Sequence, residues 1–259
     1  MATVWITGAS SGIGRALALA YARRGQSVIV TARRREHLEQ LCREAAGLPG
    51  RIRAEAADVT DPEGMKFIVA SAEDAFGAID VAILNAGLYV PVHGSNFDAA
   101  AFRKCMDVNV MGVVHALAAV LPGMVSRGRG RVALMGSLAG YGGVPASAAY
   151  GASKAALINL AASLRLDLEP TGVIVQVINP GFVATGRNAN NQSLPFLMPL
   201  EEAVQRIIAG LGHDRFEIAF PRRFALILKA INMLPYPLYF AIVSRMAGPA
   251  ARRAASKID

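Results

Sequence analysis

Cysteine is scarce in this sequence, and so is negative charge. Cys42 and Cys105 are the only two thiols in 259 residues. They form neither a disulfide framework nor a metal spacing, so free thiols in a reducing cytoplasm are expected. The histidines His37, His93, His115 and His213 stand far apart and outside any ligand motif, and no metal is expected. The chain enters the apolar run Val4-Trp5-Ile6 almost at once, leaving no room for the three parts of a signal peptide, so export is not expected. No apolar run reaches the ~18 residues that mark a membrane span. The longest candidate, Phe224 to Val243, is broken by Lys229, Asn232, Pro235 and Pro237. With 53% hydrophobic and 18% charged residues, disorder is excluded and a packed core is implied.

Acids number 19 against 27 lysines and arginines, a net charge of +8. The excess is local. Residues 221–259 hold Arg222, Arg223, Lys229, Arg245, Arg252, Arg253 and Lys257 against Asp259 alone, leaving +2 for the first 220 residues.

What is present alternates between strand and helix. Residues 3–7 read as a buried strand and Ala16 to Arg24 as an amphipathic helix, with Thr7-Gly8-Ala9-Ser10-Ser11-Gly12-Ile13-Gly14 between them. Glycines there permit a tight turn and let backbone N–H groups approach a phosphate at a helix N-terminus, as a dinucleotide requires. The next strand, Val28 to Thr31, runs into Ala32-Arg33-Arg34-Arg35 with no acid. An acid at this place would bind a ribose 2′-hydroxyl, whereas a basic residue accommodates a 2′-phosphate. Arg33, aided by Arg34 or Arg15, therefore points to NADP(H); solvated or helix-capping arginines are the alternative.

A third strand ends at Ala57-Asp58-Val59, and a helix from Pro62 to Phe76 follows. Val81 to Leu84 leads into Asn85-Ala86-Gly87, and a long apolar helix is expected within Phe97 to Met124, where Asn109 needs a polar partner. Arg131 to Met135 delivers Gly136-Ser137, and Val173 to Ile178 leads into Asn179-Pro180-Gly181-Phe182-Val183-Ala184-Thr185. The segment from Gly186 to Pro199 reads as a binding lid, Leu200 to Leu211 as helix, and Phe216 to Phe220 as a seventh strand. Without a linker or repeat, this is one doubly wound, Rossmann-type α/β domain. Its parallel seven-stranded sheet has helices on both faces over residues 1–220, with a basic amphipathic helical extension over 221–259.

Tyr150-Gly-Ala-Ser-Lys154 opens the helix that continues to Leu168. Residues four apart share a helix face, and a nearby ammonium is expected to lower the phenol pKa and fit Tyr150 for acid–base work. A solvated Tyr–Lys pair is the alternative.

In this order the motifs resemble the classical short-chain dehydrogenase/reductase family, over roughly residues 3–220. The likeness rests on Thr7 to Gly14, Asp58-Val59, Asn85-Ala86-Gly87, Asn109, Ser137, Tyr150 thirteen residues later, Lys154, and Pro180-Gly181 through Thr185, with no departure at a catalytic position. The resemblance implies that Tyr150 exchanges a proton with a carbonyl or alcohol oxygen and that Ser137 hydrogen-bonds that oxygen. Lys154 would lower the Tyr150 pKa and bind the nicotinamide ribose, while Asn109 would hold a water in a relay reaching Lys154. Gly8, Ser10, Ser11, Gly12, Ile13 and Gly14 would line the pyrophosphate, Asp58 and Val59 the adenine, and Asn85, Ala86 and Gly87 a ribose. Pro180, Gly181, Val183 and Thr185 would border the nicotinamide. A homodimer or homotetramer is implied as well.

The expected activity is NADP(H)-dependent interconversion of a carbonyl and an alcohol. The alternatives are a non-catalytic NADP(H)-binding sensor or scaffold, and a reductase of 3-oxoacyl thioesters or lipid ketones working at a membrane surface. Phe196, Leu197 and Met198 in the lid fit an apolar substrate and a core or oligomer contact about equally. The extension fits a subunit interface, an anionic membrane at the inner face, or an acidic acyl carrier protein. Nucleic acid is not expected, because no recognition motif accompanies the charge.

Overall fold

The computed structural model describes residues 2–186 and 194–246. Its strands are β1 (Thr3–Thr7), β2 (Ser27–Ala32), β3 (Arg51–Ala56), β4 (Val81–Leu84), β5 (Gly130–Met135), β6 (Val173–Pro180) and β7 (Glu217–Phe220). They form one parallel sheet in the order β3-β2-β1-β4-β5-β6-β7. The order reverses between β1 and β4. At such a switch point the loops leaving the strand ends diverge and open a crevice.

The central strands are apolar at successive positions because both faces are covered. Val4, Ile6, Val28 and Val30 pack with Leu17, Leu38 and Ile207 on one face, whereas Trp5, Ile29, Val132 and Leu134 pack with Met65, Val113 and Leu157 on the other. The period of two assigns alternate side chains to opposite layers. The first layer is α1 (Gly12–Arg23), α2 (Arg35–Glu44) and a helix over Leu200–Leu211; the second is α3 (Pro62–Phe76) with the helices that follow β4 and β5. Local chemistry sets the starts: Pro62 opens α3 while the Asp61 carboxylate accepts from Glu63 N at 3.1 Å.

The apolar stretch expected as one helix within Phe97–Met124 is divided. It comprises α4 (Ala99–Met106), a π-helical turn at Asp107–Met111 and α5 (Gly112–Ser126). Ala99–Ser126 is, by length and composition, apolar enough to cross a membrane. Its buried Val113, Ala116, Leu117, Val120 and Met124 pack against α3 and the sheet, so the core accounts for one face of the helix, and 39% of the apolar window is buried.

Helix α6 (Ala148–Leu168) enters beside the carboxyl end of β5, and α7 (Leu200–Leu211) lies against α1. Beyond β7, α8 (Arg222–Asn232) turns Phe224, Ala225 and Ile231 inward, and α9 (Tyr236–Met246) buries Tyr239. The Tyr239 hydroxyl donates to the Gly143 carbonyl at 2.7 Å, tying α9 to the loop that leads to α6.

Candidate active site

The glycine turn between β1 and α1 has no space for side chains. Gly8 has φ +68°, and a Cβ there would lie 2.7 Å from Ala86 Cα; one on Gly14 would lie 2.6 Å from Asn85 Nδ2. Asn85 Nδ2 donates to the Thr7 and Gly8 carbonyls at 3.0 and 3.2 Å, and Ala86 N donates to the Thr7 hydroxyl at 3.0 Å. Its amide N–H donors therefore brace the turn. Ser11, the N-cap of α1, makes no side-chain capping bond, which leaves the amides of Gly12, Ile13 and Gly14 to an anion. Thr185 comes within 3.6 Å of a Cβ built on Gly12, so the segment after β6 returns to the same turn.

Gly8→Ala is expected to lower Tm by several degrees and to weaken nucleotide binding. A left-handed backbone costs an alanine about 1–2 kcal/mol, and the Ala86 backbone must also move. Unchanged melting and unchanged nucleotide affinity would show that the turn tolerates a side chain.

The arginines after β2 separate by partner. Arg34 Nη2 donates to the Ser10 hydroxyl at 3.0 Å, and Arg33 Nη1 lies 3.8 Å from Asp58 Oδ2. Arg15 instead pairs with Glu44 across to α2. A cavity of about 560 Å³ beside Arg33 and Asp58 is also lined by Thr60, Arg103, Lys104 and His115, four residues that no sequence motif marks. Asp58 Oδ1 accepts from Thr60 N and Oγ1 at 3.0 and 2.9 Å. Val59 is buried, its carbonyl 3.1 Å from His115 Nδ1.

At the other end of the crevice, Ser137 leaves β5 in extended conformation and caps the short 3₁₀ turn Leu138–Gly140. Its hydroxyl accepts from Ala139 N at 3.1 Å and donates to the Pro180 carbonyl at 3.4 Å, and it stands beside the Tyr150 phenol. Tyr150 and Lys154 lie one turn apart on α6. Lys154 is 3% exposed and donates to the Met135 carbonyl at 2.6 Å, its Nζ 5.5 Å from the Tyr150 ring centroid. Tyr89 meets the same ring edge-on at 5.2 Å.

This geometry reverses one expectation. Burial pushes the Tyr150 phenol above its ordinary value, against the lowering effect of the Ser137 hydroxyl, and Cys105 and Tyr89 raise it further. Lys154 lies over the ring and spends a hydrogen bond on Met135, so desolvation dominates the phenol. Burial likewise brings the Lys154 ammonium down to about 8.

Asn109 is fully buried within the π turn. Its Oδ1 accepts from Leu88 N at 2.7 Å, and its Nδ2 donates to the Leu88 carbonyl at 3.0 Å and the Ser153 hydroxyl at 2.9 Å. Ser153 in turn donates to the Tyr150 carbonyl at 2.7 Å. A Cβ built on Gly87 would lie 3.6 Å from both Asn109 Oδ1 and Lys154 Nζ. Asn85-Ala86-Gly87 thus connects the glycine turn to this polar cluster. Ser153 lies inside the Tyr150–Lys154 motif, yet only the fold reveals its bridge to Asn109.

Beyond β6, Gly181 N donates to Phe220 O at 2.7 Å, and Val183 forms a bridge with Met198. Met198 is buried, which makes it a core residue. Phe196 is half exposed and stacks on Phe224 of α8 at 5.1 Å, with Phe182 at 6.3 Å from the same ring. Asn190, Asn191 and Gln192 of the expected lid lie outside the described residues. Beneath this wall Glu217 Oε1 accepts from the Tyr141 hydroxyl at 2.5 Å and Asn179 Nδ2 at 2.8 Å, and Lys229 of α8 pairs with its other oxygen. Burial raises the Glu217 carboxyl, but bonds from Lys229, Tyr141 and Asn179 outweigh it and hold the group below its ordinary value.

The short chain dehydrogenase family model matches residues 2–194. An uncharacterized oxidoreductase of Myxococcus xanthus is 38% identical over 245 residues, covering 94% of this chain and 97% of its own. The 3-oxoacyl-(acyl-carrier-protein) reductase of Thermotoga maritima is 34% identical, over 70% of this chain and 73% of its own. Among solved structures, an actinorhodin polyketide ketoreductase with NADPH superposes with TM-score 0.76 at 24% identity, covering 84% of this chain and 94% of its own. An alcohol dehydrogenase of Thermococcus sibiricus complexed with 5-hydroxy-NADP gives 0.77 at 24%, covering 85% and 96%. These two likenesses show the fold.

Proposed function

The chain belongs to the short chain dehydrogenase family of oxidoreductases, and on that premise we propose that it reduces an apolar carbonyl compound to an alcohol, with NADP(H) as cofactor and Tyr150 as proton donor. The observation that carries this reading is a phenol set beside Ser137, packed against Lys154, and held protonated by burial. A protonated phenol at neutrality suits the reductive direction, in which the developing alkoxide takes a proton. The Ser137 hydroxyl would share the charge on that oxygen. The Lys154 ammonium would replace the proton that Tyr150 gives up, and a water held at Asn109, across Gly87, would resupply Lys154 from solvent.

The residues present fit a nicotinamide dinucleotide phosphate. Gly8 and Gly14 leave a cradle that a Cβ would fill, Arg33 and Arg34 stand where a 2′-phosphate is read, and Lys154, Val183 and Thr185 would hold the nicotinamide end. When bound, the cofactor supplies the hydride. Tyr89, Phe182 and Phe196 give the substrate side aromatic surfaces. The relatives named as a 3-oxoacyl reductase and a polyketide ketoreductase agree with a ketone as the reacting group.

Incubation with NADPH and a panel of apolar ketones and aldehydes should consume the nicotinamide absorbance. Measurable nucleotide binding without oxidation across the panel would favour a sensor instead. Arg33→Asp is expected to raise the Kd for NADPH by about 10- to 100-fold, the loss of one charge-assisted phosphate contact, and to leave NADH almost unchanged. Equal weakening of both would remove Arg33 from 2′-phosphate recognition.

A further inference from the structure

We propose that the outer face of α8 and α9 docks this protein onto an anionic lipid surface. Along α8 and its C-cap, Leu226, Ile227, Ala230 and Met233 recur at helical spacing and are exposed, Leu226 by 66% and Met233 by 86%, while Phe224, Ala225 and Ile231 fill the inward side. On α9, Tyr236, Leu238 and Phe240 are 76%, 55% and 62% exposed, and the Tyr236 and Phe240 rings stack at 5.8 Å. Single exposed apolar residues are ordinary; this many on two consecutive short helices form a recognition surface.

Charge selects the occupant. Arg222, Arg223 and Arg245 are exposed and have no carboxylate partner among the described residues, whereas Lys229 is engaged by Glu217. The sequence from 221 to 258 contains no acid. A second copy packed symmetrically on this face would set arginine against arginine, since such an interface repeats the same patch on both sides. An acidic protein would answer the arginines but would leave the apolar side chains to be matched separately. A bilayer interface meets both demands, with acyl chains below the apolar residues and phosphates around the guanidinium groups. Eleven residues per helix fall short of the ~20 needed to span, so the pair lies on the surface.

The face is held firmly to the catalytic body by Tyr239 on Gly143 and by Phe224 under Phe182 and Phe196. α8 thus forms a wall shared between the lipid-facing side and the aromatic side of the crevice. Access of a membrane-dissolved carbonyl along that wall follows if the proposed reductase reading holds; the docking does not depend on it. The family model ends at residue 194, before both helices, while the Myxococcus relative matches over 94% of the chain.

Co-sedimentation of the full chain with vesicles of phosphatidylcholine, alone or mixed equally with phosphatidylglycerol, tests the docking without reference to turnover. The expected result is at least about tenfold stronger binding to the mixed vesicles, weakened by high salt. Met233→Ser/Tyr236→Ser/Phe240→Ser should lose binding to both, and Arg222→Gln/Arg223→Gln should lose the preference for the anionic lipid, each with an unchanged melting curve. Wild-type protein that stays in the supernatant with both vesicles overturns the proposal, as does binding that neither variant alters. A change of oligomeric mass in the triple variant, with no vesicle binding by the wild type, would assign the face to contact between copies and overturn it as well.

Discussion

Tyr150→Phe is expected to lower turnover by about 10²- to 10⁴-fold, the range for loss of a positioned proton donor, while nucleotide affinity and Tm stay near wild type. The substitution removes one oxygen. The ring keeps its contact with Tyr89 at 5.2 Å and with the Lys154 ammonium at 5.5 Å, and the Ser137 hydroxyl retains Ala139 N and the Pro180 carbonyl. Steady-state turnover beside an equilibrium nucleotide titration separates chemistry from binding. Near-normal turnover would remove Tyr150 from the reaction; loss of nucleotide binding in parallel would make it a structural residue. The pH dependence has a sign. Because burial holds the phenol above its ordinary value, the acid form persists through neutrality, so carbonyl reduction should be flat there. Alcohol oxidation, which needs the phenolate, should climb on the alkaline side.

The strands, their polar or glycine-containing ends and the Tyr150–Lys154 helix were legible because each leaves a local mark. β1 carries the apolar run Val4-Trp5-Ile6 between two threonines and is followed at once by a glycine, and Gly8 and Gly14 are dictated by the 2.7 and 2.6 Å that a Cβ there would leave to its neighbours. Periodicity could not show that the helix after β4 changes to π geometry at Asp107–Met111, since the apolar residues continue through that turn. It is this turn that aims Asn109 at Leu88 and Ser153. Arg15 looked as available as Arg34, but only one of them finds an acid within reach across α2. Phe196, Leu197 and Met198 looked alike in sequence; the Val183 bridge buries Met198 and leaves Phe196 facing Phe224. The sign of the Tyr150 shift was the least legible of all. Spacing reports that a lysine is one turn away, whereas the phenol responds to how much water surrounds it and to where the ammonium points.

Lys154→Met is expected to move activity and stability in opposite directions. Loss of the ammonium beside Tyr150 should cut turnover by about 10²-fold or more, in the range of general acid–base contributions. The same ammonium is 3% exposed and titrates at about 8 instead of 10.5, with burial the leading cause. Below about 8 the folded and unfolded chains both carry this proton, and the fold bears a constant cost. Between about 8 and 10.5 the folded chain releases it while the unfolded chain keeps it, so stability rises with pH across that window. Removing the charge should therefore stabilise the protein at neutral pH by about 3 kcal/mol before the Met135 carbonyl loses its donor, and Tm should rise by several degrees. Melting curves across the window test this directly: the wild type should gain stability from pH 8 upward and the variant should lack that component. A variant that melts lower at neutral pH would show that the bond to Met135 outweighs the cost of burying the charge, and that Lys154 serves the fold as well as the reaction.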